Sequence, residues 1–212
     1  MSAAATKAFG AKRGPGAKAP KPAITMRAAL SDDRLLGLIL GGESWAAWRV
    51  VLIAIMGESL TPGERFVFQA LTGRDREPGE LVEEFWGIIG RRGGKSRAMS
   101  ALAVFLACFR DYGAVTVVGE KPTVLVMAQN VKQAGISLSY IVGALEGVPM
   151  LSGVIRNKTA DSVELSNNVT IEVRPANFRG LRGVTAVAVL ADEIAFWFDE
   201  SSRVSKTRIQ KS

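Results

Sequence analysis

An α/β fold, a mostly parallel sheet flanked by helices, is predicted by three observations on this 212-residue chain. Residues 123–128 (TVLVMA) and 184–191 (VTAVAVLA) are short apolar runs, the form taken by strands buried in a parallel sheet. Stretches of helical length and periodicity alternate with them. A third apolar stretch, 82–89, stops at a glycine-rich turn and gives way at once to a helix-forming segment. Its order is strand, glycine loop, helix. The length gives room for one good-sized core plus tails.

Residues 1–23 are rich in Ala, Gly, Pro and Lys, with almost no large apolar side chains, and read as a disordered basic tail. A helical subregion spans 24–80. Ser44 is placed to cap a helix in which Trp45, Trp48, Leu52 and Ile55 recur at helical spacing as far as Met56. Thr61, Pro62 and Gly63 form the next start signal, and that helix carries Phe66, Phe68 and Leu71 toward its stop at Gly73. The core is assigned to 81–200. Its first strand lies within 82–89. The helix after the glycine loop uses Met99, Leu102, Phe105, Leu106 and Phe109, and ends near residues 111–113. Strand 123–128 leads through a polar turn into a helix reaching about Leu145. Residues 162–173 (SVELSNNVTIEV) alternate around Asn167–Asn168, which predicts a hairpin. Residues 201–212 form a second basic tail.

The formal charge of +7 is unevenly placed. The first 22 residues carry +5 and the last ten +4, both without an acid, which leaves −2 for residues 23–202. The basic pI therefore belongs to the ends and is no nucleic-acid footprint on the core. One cysteine, Cys108, rules out an internal disulfide framework and fits an intracellular setting. The chain has no histidine, which excludes histidine-ligated zinc, Ser-His triads and imidazole acid–base chemistry. Catalysis would rest on carboxylates, Lys, Arg, hydroxyls and a hard metal. The N-terminus lacks the apolar core of a secretory signal. Gly41, Gly42, Glu43 and Arg49 interrupt the most hydrophobic region, so no membrane span is expected.

Chemistry concentrates in residues 86–100, WGIIGRRGGKSRAMS. Gly94, Lys95 and Ser96 match the end of the phosphate-loop pattern G-x-x-x-x-G-K-[ST], while Ile89 holds the first glycine position and Gly90 follows it. Gly90, Gly93 and Gly94 allow a tight turn whose N–H groups point at phosphate oxygens. Lys95 would reach the β- and γ-phosphates, and the Ser96 hydroxyl would bind Mg²⁺. The second apolar run ends in Asp192–Glu193, at the edge where a parallel sheet binds ligands. Asp192 would face the Mg²⁺ held by Ser96, and Glu193 would orient and deprotonate the attacking water. The plain alternative is a glycine turn before a helix, with two acids capping an unrelated segment.

Taken together, IIGRRGGKSR, VLVMAQNVKQA, NNVTIEVRPANFRGLRG and VAVLADEIAFW resemble the ATPase domain of tailed-bacteriophage terminase large subunits, over about residues 30–200. The resemblance implies a P-loop NTPase of the additional-strand catalytic-glutamate class, incomplete at its C-terminus, using ATP and Mg²⁺. It implies a motor that drives double-stranded DNA into a capsid as a homo-oligomeric ring, with portal protein and small terminase subunit as partners. The setting would be the host cell cytoplasm, transiently at the procapsid portal, with no membrane. By position, Lys95 and Ser96 are the phosphate and metal residues, Asp192 the metal-side acid and Glu193 the catalytic glutamate. Arg91 matches an arginine placed early in the family's loop, where it would fork onto phosphate oxygens; Arg92 beside it is counted with the nucleotide-binding loop, against a solvated or DNA-facing charge as the alternative. Arg182, rather than Arg179, matches a finger reaching a neighbouring subunit's nucleotide, against a surface salt bridge as the alternative. Gln69 would read adenine, or else be an ordinary helix-face glutamine. No second acidic cluster is present, so no nuclease activity is expected. The competing readings are a helicase-like P-loop ATPase and a truncated nucleotide-binding fragment without turnover.

Overall fold

A computed structural model describes residues 22–176 and 183–197. The N-terminal helices are α1 (Met26–Ser31), α2 (Gly37–Leu40), α3 (Ala46–Ile55) and α4 (Pro62–Thr72). Then come α5 (Lys95–Phe109), β1 (Pro122–Ala128), α6 (Val131–Gly147), β2 (Ile155–Lys158), β3 (Ser162–Leu165), β4 (Thr170–Pro175) and β5 (Thr185–Ala191). The strands form one five-stranded sheet in the order β2-β3-β4-β1-β5. β1 pairs in parallel with both β4 and β5, whereas β2–β3 and β3–β4 are antiparallel. The sheet is therefore mixed rather than mostly parallel. The hairpin around Asn167–Asn168 and the unanticipated polar strand β2 (IRNK) supply its antiparallel half. Asn168 takes the positive φ of 66° that the tight turn demands. Asn167 ties the hairpin tip to α5 by donating to the Ala107 carbonyl at 2.8 Å.

All seven residues of β1 are buried, in keeping with its central place. α5 and α6 pack on each other and on β1 and β4. Phe105, fully buried, stacks on Phe109 with ring centroids 5.7 Å apart, while Val124, Ile141, Leu145 and Ile171 fill the same core. Burying such side chains contributes roughly 1.5–3 kcal/mol each. α4 begins as the sequence implies. Thr61 and Glu64 form a reciprocal capping box, Pro62 opens the first turn, and Gly73 ends the helix at φ 68°. Phe68 is buried, but Phe66 and Leu71 are exposed. α3 also differs at its start: a short 3₁₀ turn, Glu43–Trp45, leads into it, and Ser44 makes no side-chain cap.

The main correction concerns residues 82–89, which form no strand. Phe85, Trp86 and Ile88 are exposed there, and the Val82 N–H bonds to Ile55 of α3 rather than to the sheet. An apolar run is a local signal, whereas a strand needs a neighbour's N–H and C=O groups. Among the described residues β5 pairs only with β1, so the outer edge of β5 is open and segment 82–89 does not fill it. No described helix is long and apolar enough to cross a membrane. The two basic tails, apart from residues 22 and 23, lie outside the described residues.

Candidate functional site

The glycine loop and the end of β5 meet. The Lys95 ammonium lies 2.6 Å from Asp192 Oδ1 and 3.5 Å from Glu193 Oε1, although 97 and 98 positions separate these residues in the sequence. Gly94 makes this possible on the loop side. At φ 76° it turns the chain directly into α5, whose first residue is Lys95, and no side chain caps that helix start. The first-turn N–H groups of α5 thus lack the usual capping acceptor. A turn from the Gly93 N–H to the Gly90 carbonyl (3.2 Å) closes the loop. Arg91 and Arg92 are exposed on it, and Arg92 adopts a positive φ of 63°.

On the sheet side, the Asp192 N–H donates to the Met127 carbonyl at 2.8 Å, which continues the β1–β5 ladder one residue past the strand. The Trp197 indole donates to the Asp192 carbonyl at 2.9 Å and holds the turn that follows. The Asp192 side chain is only 2% exposed. Its Oδ1 accepts no well-formed hydrogen bond, so the Lys95 ammonium is its counter-charge. Burial draws the Lys95 pKa down, but the contact with Asp192 and the charges of Asp192 and Glu193 outweigh it. The net displacement is upward from the ordinary lysine value, and the ammonium stays charged. Glu193 is half-exposed and sits at φ 54°, ψ 42°, a left-handed backbone unusual for a residue with a side chain.

A buried carboxylate oxygen with no neutral donor is suited to a cation, and here a lysine occupies that role. With the Ser96 hydroxyl one residue along α5, this donor set is compatible with a hard, oxygen-preferring ion. Among the described residues no group of three or more His, Cys, Asp or Glu could hold a metal by itself.

Gln69 is exposed on α4, and its amide donates to Asp75 at 3.0 Å. Arg179 and Arg182 lie outside the described residues. A broad open concavity of about 690 Å³, lined by Arg110, Tyr112, Val118 and Asn168 among others, contains none of the predicted catalytic, nucleotide-binding or metal residues that the structure describes. Cys108 borders it, and burial pushes that thiol up to about 12, which disfavours the thiolate. Sequence reasoning missed the tryptophan side of the site. The Trp48 indole donates to the Gly93 carbonyl at 2.7 Å, and only helical spacing marked Trp48, as a packing residue.

Comparison with protein-family models, with curated proteins and with solved structures finds no match for this chain. The fold is α/β, with a mixed five-stranded sheet and flanking helices, compatible with either a P-loop or a Rossmann-like arrangement.

Proposed function

We propose that this chain binds ATP at the loop 90–96 and hydrolyses it as the motor domain of a viral DNA-packaging terminase large subunit. The observation that carries the proposal is the Lys95 ammonium standing between Asp192 and Glu193 at the end of a parallel strand. On this reading the loop's amides and Lys95 take the β- and γ-phosphates, with Arg91 beside them. Ser96 and Asp192 would hold Mg²⁺, which when bound would supply neutralising charge to the phosphates. As phosphate replaces carboxylate on the Lys95 ammonium, Asp192 is released from it. Glu193 orients a water and takes its proton. Arg182 is assigned the reach to a neighbouring nucleotide, and Gln69 the adenine, on the resemblance alone. The resemblance likewise supplies double-stranded DNA, portal, small subunit and a ring of copies as partners.

A specific observation favours a second reading, nucleotide binding without turnover. The segment entering the loop forms no strand, so the loop is not anchored by the sheet on its N-terminal side. Steady-state phosphate release with MgATP separates the two readings. Turnover that is lost in Glu193→Ala while nucleotide still binds supports the motor, as does stimulation by portal or small subunit. Binding with no turnover in the wild-type chain supports the second reading. Normal hydrolysis by Glu193→Ala would falsify the assignment of the base.

A further inference from the structure

The glycine loop is backed by two indoles. Besides the Trp48–Gly93 hydrogen bond at 2.7 Å, Gly94 lies tight against Trp45. A methyl group on Gly94 would sit 2.5–2.7 Å from the Trp45 ring and 3.4 Å from Trp48 Nε1. Within the first turn of α5, the Arg97 guanidinium stands 5.0 Å over the same Trp45 ring. The contacts join the start of α3 to the loop and the start of α5, across 45 residues in the case of Trp48 and Gly93.

The hydrogen bond has a directional consequence. In a planar trans peptide the carbonyl and the following N–H point in opposite directions. Holding the Gly93 carbonyl toward Trp48 therefore aims the Gly94 N–H away from the indole wall. We infer that Trp48 is a positioning residue for phosphate binding, acting through the Gly93–Gly94 peptide, with Trp45 as the wall that keeps the loop from collapsing onto α3. This inference rests on the nucleotide reading. Without the indole N–H that peptide is free to rotate, and its amide is no longer presented to an anion. Gly94 is doubly constrained, by its φ of 76° and by the Trp45 ring behind it.

Trp48→Phe keeps an aromatic ring and removes the donor. Binding is measured by fluorescence anisotropy of an N-methylanthraniloyl ATP, with inorganic pyrophosphate as a competitor that lacks the nucleoside. The expected result is a rise in Kd of about fivefold, the worth of one lost hydrogen bond, by a common factor for both ligands and with little change in Tm. Unchanged affinity in a folded Trp48→Phe protein overturns the inference, and so does a loss seen for ATP but not for pyrophosphate. Should that variant fail to fold, the wild-type indole N–H resonances decide. Trp48 should be protected from solvent exchange relative to exposed Trp86 and should shift on adding pyrophosphate; absence of either overturns it. If the wild-type chain binds neither ligand, the nucleotide reading fails and phosphate positioning fails with it. Protection of Trp48 in the ligand-free protein would then show the brace alone.

Discussion

Glu64 and Asp192 are both acids beside a cation, yet their surroundings are opposite. Glu64, in the helical subregion, accepts from Arg27 through both oxygens, at 2.6 and 2.9 Å, and also from the Thr61 N–H at 2.8 Å. The Arg27 hydrogen bonds are the main reason its pKa falls to about 2. Glu77 nearby is held in the same manner by Arg65 and the Leu60 N–H. Asp192 is the most buried of these acids, and its Oδ1 has one ammonium and no well-formed hydrogen bond. The difference separates structural acids from an exchangeable one. A carboxylate saturated by forked guanidinium bonds has nothing to offer a ligand, whereas one held by a single lysine can trade partners.

The strongest way to break the comparison is chemical. Under the motor reading, Glu193→Gln should lower ATP turnover by at least about a hundredfold while leaving nucleotide affinity near wild type. Phosphate release alongside equilibrium binding measures both, and equal losses in the two would remove Glu193 from the role of base. Next in size is Lys95→Met. It should weaken ATP binding by at least about tenfold, and by leaving Asp192 unpaired it should lower ligand-free stability by about 2–3 kcal/mol. Adding Asp192→Asn should restore most of that stability without restoring binding. Urea unfolding of the single and double variants provides the check, and additive losses would mean that the pair does not interact.

Glu64→Gln should cost only about 1–2 kcal/mol, since the Arg27–Glu64 pair is partly exposed and screened, and should leave nucleotide binding unchanged. Its pH dependence has a definite sign. The folded-state pKa of Glu64 is depressed, so the pair's contribution is complete above the ordinary value of 4.5 and is lost as pH falls from there toward about 2. Thermal unfolding followed from pH 6 to pH 3 should show wild type and Glu64→Gln converging as acid is added. A constant gap between them would place the stabilisation elsewhere.

Much of the site was legible because its signals are local. The turn ending in Gly94-Lys95-Ser96 and the apolar run ending in Asp192-Glu193 each predict where side chains emerge, and they meet although no strand leads into the turn, because α5 packs on β1 and β5. Strand 123–128 and the hairpin at Asn167–Asn168 were readable for the same reason. What was not legible depends on distant partners. Residues 82–89 have a strand's composition but no strand beside them among the described residues, and β2 pairs despite a polar sequence because β3 lies beside it. Apolar character alone does not tell which of Phe66, Phe68 and Leu71 is covered, and of the three only Phe68 is buried. The Trp48–Gly93 bond could not be read from spacing, because an amphipathic helix shows that its tryptophans turn inward without showing what they meet.

The left-handed twist at Glu193 has a consequence for how this chain tolerates change. Glycine adopts that conformation freely, so Glu193→Gly should raise the melting temperature, by the equivalent of about 0.5–1 kcal/mol, while silencing any hydrolysis. Selection for robustness alone would drift this position toward glycine. Persistence of an acid there would have to be maintained by what the acid does, and calorimetry of the glycine variant would reveal how large a handicap the protein carries for keeping it.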